Sequence, residues 1–258
     1  MTIEPETPAA KSPSWTGNPA QLSFCTALAG ARPGEDPYSP IVHAQPERPF
    51  LIAQLGQSLD GRIATLAGES QWINNAAALD HLHRIRSLVD AVAVGVRTVM
   101  LDDPMLTVRR VPGRSPARVV IDPSGRMPAE ARCLADDGVR RIVITAKDYA
   151  SKKGVEVITL TRTNGRIGCN EIARALFSRG FKRVLIEGGA STISAFIDAG
   201  AIDRLHVLVA PLILGSGKPG LELSPVACLA DALRPKTRLY QLAGGDVLFD
   251  CDMRATRD

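Results

Sequence analysis

The chain has 258 residues, 45% of them hydrophobic and 22% charged, with 22 Gly and 18 Pro, a globular composition that suits one large α/β domain or two small ones. Its net charge of +4 and its 4% aromatics argue against a nucleic-acid partner and suit a few arginines reserved for a phosphorylated small molecule. No apolar run approaches the ~20 residues of a membrane span, and MTIEPETPAAKSPSW has no signal-peptide pattern, so a cytoplasmic protein without a membrane partner is expected.

Nine of the 18 prolines fall in residues 1–49, which predicts a partly disordered, proline-rich arm over residues 1–48 ahead of a single domain over 49–258. The island QLSFCTALAG (21–30) is its one apolar patch. FLIAQL then reads as a buried strand ended by Gly56. In SQWINNAAALDHLHRIRSLV, Asn74 or Asn75 is the N-cap of a helix whose Ala78, Leu82, Ile85 and Val89 recur at helical spacing. DAVAVGV (90–96), ARVVID (117–122), RRIVIT (140–145) and VEVITL (155–160) are further strands, with DYASKKG a short polar helix between the last two. NEIARALFSRG is a helix closed by Gly180, RVLIE (183–187) a strand, and ASTISAFIDAG a helix ending at Gly200. DRLHVLVAPLIL is a long β-branched run, and TRLYQLAGGDVLFDCDMR forms a hairpin. Alternating strands and helices that end in a hairpin predict a mostly parallel sheet covered on both faces, with an antiparallel edge.

The five cysteines lack C-x-x-C or zinc spacing and read as reduced thiols. His81 and His83, two apart on a helix, face different ways and cannot share a metal, so no metal site is expected.

Three stretches carry chemistry. In VLIEGGASTISAF (184–196) a strand, a Gly-Gly turn and a helix start make an anion seat: Gly188 and Gly189 admit a ligand to the backbone, and Ser191 and Thr192 add hydroxyls. It is not a Rossmann fingerprint, because it comes late and no acidic strand end follows ~20 residues on. Glu187, at the strand's carboxyl end, faces the crevice where ligands of open sheets bind. In VGVRTVMLDDPMLTVR (94–109), Arg97 and Thr98 open a second helix and offer an anion site, and Asp102-Asp103-Pro104 stops it. In SLDGRIATLAGESQWI (58–73), Asp60-Gly61 is a turn, and Trp72 in a Gly-rich loop offers a flat wall for a ligand.

Together these stretches resemble the pyrimidine reductase family of riboflavin biosynthesis, in its stand-alone form. The resemblance runs from about Pro49 to Met253 through S-L-D-G-R-I-A, G-E-S-Q-W-I, G-V-R-T-V-x-x-D-D-P-x-L-T-V-R, V-V-I-D, L-I-E-G-G-A and A-P-L-I-L-G-S-G. It implies a three-layer α/β/α, dihydrofolate-reductase-like fold, NADPH as cofactor, and reduction of a ribosylaminopyrimidine 5′-phosphate to its ribityl form. By motif position, Gly56, Trp72, Arg97, Thr98, Asp102, Gly188, Gly189, Ala190, Ser191 and Thr192 are expected at the cofactor. Ser70, Arg86, Leu106, Arg109 and Glu187 are expected at the substrate, with Arg86 and Arg109 clamping its phosphate and Glu187 accepting ring N–H groups. Asp102 is the expected catalytic carboxylate.

The H-x-E and P-C-x-x-C elements of the deaminase found in bifunctional members are absent, so no deamination is expected. Pro123 intervenes between the V-V-I-D aspartate and Ser124, which puts a cofactor contact by Ser124 in doubt. A pterin or another heterocycle is the alternative substrate, and a silent nucleotide-binding scaffold the alternative class; two clamp arginines favour a phosphorylated pyrimidine. The apolar 203–214 run and the hairpin predict a homodimer.

Overall fold

A strand that is apolar on both faces must lie between two layers, and the central strands here are of that kind. The computed structural model describes residues 36–149, 153–163 and 165–254. The expected arm as far as residue 35, its apolar island and the middle of DYASKKG lie outside these residues.

The helices are α1 (Ser39–Val42), α2 (Ala76–Leu88), α3 (Val96–Asp102), α4 (Cys169–Phe177) and α5 (Ala190–Asp198). The strands are β1 (Phe50–Ser58), β2 (Arg62–Thr65), β3 (Ala91–Gly95), β4 (Ala117–Ile121), β5 (Arg141–Thr145), β6 (Val155–Thr159), β7 (Arg162–Thr163), β8 (Arg166–Ile167), β9 (Arg183–Glu187), β10 (Arg204–Ala210), β11 (Gly217–Pro219), β12 (Lys236–Gln241) and β13 (Val247–Asp252). Among the described residues, nine of them form one sheet in the order β12-β13-β10-β1-β9-β3-β4-β5-β6. From β10 to β6 every neighbour is parallel. β13 and β12 add the antiparallel edge.

The pleat sorts the core into two layers. Leu51, Ala53, Ala93, Val184 and Ile186 face α4 and α5, whose Ile172, Leu176, Ile193 and Phe196 cover them. Ile52, Val92, Val94 and Leu185 face the other way, onto Ile85 of α2 and Val96 and Val99 of α3. The three-layer α/β/α architecture with a mostly parallel sheet and a C-terminal hairpin is the one expected from the alternation of elements.

Local chemistry sets the ends. Of the two candidate caps, Asn75 closes the start of α2, its side-chain oxygen accepting from the Ala77 and Ala78 N–H groups. Asn74 donates to Asp246 in the β12–β13 turn. Gly180 takes φ 88°, and the Phe181 N–H bonds back to the Leu176 carbonyl, as a left-handed helix stop requires.

Two expectations need correction. β1 does not end at Gly56, because its pairing with β10 continues to Ser58 opposite Ala210. The folded unit does not begin at residue 49: Asp36 accepts from the Tyr38 and Ser39 N–H groups, and Ile41 is fully buried beside Phe50, Ile52 and Ile85. Residues 36–48 therefore belong to the domain. The short pairs β2–β11 and β7–β8 had no signature, since segments of two to four residues are too brief to show periodicity. Among the described residues no helix is long and apolar enough to cross a membrane, and no group of three His, Cys, Asp or Glu could hold a metal ion.

Candidate active site

β3 and β9 are parallel neighbours whose following helices leave on opposite faces, α3 onto the α2 side and α5 onto the α4 side. Where helices diverge like this, a crevice opens at the carboxyl ends of the strands. A cavity of about 520 Å³ lies there, lined by the ends of β1, β3 and β9, by α2 and by the 102–109 segment.

The two helix starts interlock glycine against threonine. A Cβ on Gly188 would lie 2.6 Å from Thr98 Oγ1, and one on Gly95 would lie 2.5 Å from Thr192 Oγ1. Gly188 has φ 109°, which also favours glycine. The Gly189 N–H donates to Thr98 Oγ1 at 3.3 Å. Gly189 is the N-cap of α5, no side chain caps that helix, and a Cβ there would meet nothing within 4 Å. The start of α5 thus offers backbone N–H groups to open space.

On the other face, Arg86 of α2 reaches the end of β9. Its Nε and Nη2 donate to the two oxygens of Glu187 at 2.7 and 2.6 Å, and its Nη1 donates to the Thr107 carbonyl. Both side chains are buried. Burial opposes the charge on Arg86, but Glu187 outweighs it and raises the guanidinium pKa. One turn earlier, His83 accepts the Arg109 N–H on Nδ1. Burial, then the charges of Arg86, Arg109 and Arg110, bring the His83 pKa down to about 4. Two side chains three apart on α2 therefore hold the 107–109 backbone against the cavity.

The paired aspartates separate. Asp102 lines the cavity, where burial raises its pKa against the opposing charge of Lys218 on β11. Asp103 caps α3 in a left-handed conformation (φ 38°, ψ 57°), and its carboxylate accepts the Arg132 N–H at 2.8 Å. Lys218 is brought close by a stitched pair of loops: Asp60 accepts from Ser58 Oγ and from the Leu214 and Gly215 N–H groups, which drive its pKa down to about 2.

This geometry coincides with a family match over residues 49–237, which fit the model of the RibD C-terminal domain. The chain belongs to the RibD C-terminal domain family. The riboflavin biosynthesis protein RibD of Aquifex aeolicus is 34% identical over 209 residues, covering 79% of this chain and 57% of that protein. A 2,5-diamino-6-ribosylamino-4(3H)-pyrimidinone 5′-phosphate reductase of Methanothermobacter thermautotrophicus is 32% identical over 214 residues, 79% of this chain and 97% of the relative. A crystal structure from Thermotoga maritima, of a diaminohydroxyphosphoribosylaminopyrimidine deaminase/5-amino-6-(5-phosphoribosylamino)uracil reductase, matches with a TM-score of 0.68 at 29% identity, over 80% of this chain and 57% of that one. The chain thus spans little more than half the length of the Aquifex and Thermotoga proteins and nearly all of the Methanothermobacter one.

Of the residues singled out in the sequence, the cavity of this family member gathers Gly56, Ser70, Arg86, Thr98, Asp102, Leu106, Arg109, Glu187, Gly188 and Gly189. Ala190, Ser191 and Thr192 form the first turn of α5 just behind. Like those three, Arg97 and Trp72 are not among its lining. Arg97 is exposed on α3. Trp72 is 80% exposed at φ 72°, while its neighbours Gln71 and Ile73 line the cavity. Arg86, expected to clamp the phosphate, pairs with Glu187 and the Thr107 carbonyl through three of its five N–H donors. Ser124 stays away from the cavity, its N–H turned to Asp122. Sequence reasoning passed over Gln54, a polar residue in an apolar strand, and Arg132, which belongs to no motif; both line the cavity.

Breaking the buried pair leaves a charge without its partner, at about 3–5 kcal/mol. Glu187→Gln is expected to lose roughly that much stability in urea denaturation, whereas the double change Arg86→Met with Glu187→Leu recovers most of it. His83 is neutral in the fold down to about pH 4, while the unfolded chain protonates near its ordinary value of 6.5. The unfolded state therefore binds more protons between those values, and stability falls as pH drops through that window. His83→Asn should flatten the slope of stability against pH there.

Proposed function

We propose that the chain is an NADPH-dependent reductase that converts the ribosyl group of a ribosylaminopyrimidine 5′-phosphate to a ribityl group. The observation that carries this reading is one crevice holding an uncapped helix start on one face and a buried carboxylate-lined wall on the other. The names of the relatives support it: one is a ribosylaminopyrimidinone phosphate reductase and another includes a phosphoribosylaminouracil reductase.

The residues at the start of α5 fit a dinucleotide phosphate, since Gly189 leaves the approach open and no side chain occupies the helix N–H groups. Bound there, NADPH would supply a hydride to the first carbon of the sugar once the glycosylamine has opened to a protonated imine. Asp102 supplies a carboxylate beside the reacting centre, able to stabilise the positive charge of that imine or relay a proton. Its raised pKa suits the relay, and Lys218 limits the rise. Glu187, fixed by both nitrogens of Arg86, keeps a free lone pair on each oxygen for ring N–H donors. Arg109 holds the phosphate end, its pKa lowered by burial and by neighbouring arginines.

The test is loss of NADPH absorbance with enzymatically prepared substrate; no oxidation with any aminopyrimidine phosphate would sink the reading. Asp102→Asn is expected to lower kcat about a hundredfold or more with little change in KM for substrate. Near-full turnover would remove Asp102 from the chemistry.

We also propose a homodimer built on the 212–239 segment and the edge strand β12. Ile213, Val226, Leu229, Leu233 and Leu239 are exposed there, and β12 is an edge of the sheet among the described residues, so apolar side chains and an open strand edge lie together as a pairing surface. Light scattering on a sizing column should give twice the chain mass, and Leu239→Lys should shift it toward one chain. A wild-type protein of single-chain mass at micromolar concentration would refute the dimer.

A further inference from the structure

We infer that Arg132 is the second arm of the site's phosphate clamp, opposed to Arg109 and positioned by Asp103. This rests on the proposed phosphorylated substrate and says which side chains take its phosphate.

A clamp for a phosphate monoester needs two cations whose donors are not already taken. Arg86 is the poorer candidate, because its charge is already balanced by the buried carboxylate of Glu187, which with the Thr107 carbonyl takes three of its five N–H donors. Arg109 and Arg132 both line the cavity, and among the described residues neither forms an ion pair. They are near enough that the charge of Arg132 lowers the pKa of Arg109. Two like charges held together over one cavity are a standing demand for an anion.

Their backbones are fixed for the purpose. Arg109 is held through its N–H by His83, and Arg132 through its N–H by Asp103. Asp103 itself occupies the left-handed region at the end of α3, and Leu106, fully buried at φ 56°, turns the intervening chain. The second aspartate of LDDP therefore has a role apart from stopping the helix. Both arms stand on the α2–α3 face of the sheet, whereas the start of α5 stands on the other. The crevice thus has two anion seats, and the arginine seat is the one for the substrate's monoester.

The experiment measures KM and kcat for wild type, Arg132→Ala, Asp103→Ala and Asp103→Asn, together with ribose 5-phosphate binding by calorimetry. Arg132→Ala should raise the substrate KM about ten- to a hundredfold, as loss of a charge-assisted contact implies, and weaken ribose 5-phosphate to the same degree. Asp103→Ala should reproduce part of that defect, Asp103→Asn, which keeps the accepting oxygen, should rescue it, and Asp103→Ala with Arg132→Ala should be no worse than Arg132→Ala alone. A substrate KM within twofold of wild type in Arg132→Ala overturns the assignment. So does a defect confined to NADPH and absent with NADH, which would give the seat to the cofactor's monoester. Absence of turnover in the wild type with ribose 5-phosphate binding intact and sensitive to Arg132 would sink the proposed reaction and leave the clamp standing.

Discussion

The buried pair between Arg86 and Glu187 joins three parts of the molecule that the chain separates widely. It fixes α2 to the carboxyl end of β9, and through the Thr107 carbonyl it fixes the segment that carries Leu106 and Arg109. A buried ion pair gains little over an apolar pair of the same shape, so its value lies in geometry. Two parallel bonds between a planar guanidinium and a carboxylate set distance and angle together. Glu187 is thereby held in one orientation, and this wall of the cavity is set before any ligand arrives.

The site divides its labour between the two faces of one sheet. α3 and α5 leave adjacent strands in opposite directions, and the glycine–threonine contacts at their starts bring them closer than any side chain on those glycines would permit. One face offers helix-terminal N–H groups, which suit a phosphate diester approached through backbone. The other offers guanidinium groups, which suit a more highly charged terminal phosphate. Asp102, the last residue of α3, lines the same cavity. On the proposed reading, the two seats would keep the phosphates of two anionic molecules apart while their reacting carbons meet.

What could be read from the sequence was what local chemistry determines. The Gly188-Gly189 turn and Thr98 lie where a strand ends and a helix begins, and Asp102 lies where α3 stops before Pro104, so a few consecutive residues specify each of them. The layers were equally legible, because strands apolar on both faces admit only a covered sheet. Arg86 could be assigned to the crevice but not to its partner, since Glu187 is 101 residues away. Arg132 opens a three-residue 3-10 turn (Arg132–Leu134), too short to show periodicity, and the Asp103 contact that holds its backbone is 29 residues away. Proline content pointed to an arm through residue 48, yet a single four-residue helix with one buried isoleucine attaches its last part to the core. Trp72 takes a left-handed backbone angle that its residue type does not announce, and it stands 80% exposed.

The central position of β1 has a consequence for how the protein is made. Its neighbours in the sheet are β9 and β10, which begin at Arg183 and Arg204, and the Leu51 N–H waits for the carboxylate of Asp203. The Asp60 fork closes on Leu214 and Gly215 across 154 and 155 residues. On a ribosome, the first strand of the sheet therefore emerges long before anything can pair with it, and the β3–β6 half can assemble without it. Contacts of such sequence separation are late and slow to form. The crevice is closed by the last third of the chain, so a nascent or truncated polypeptide has no ligand site, and an apolar strand stays open to association until synthesis is nearly complete.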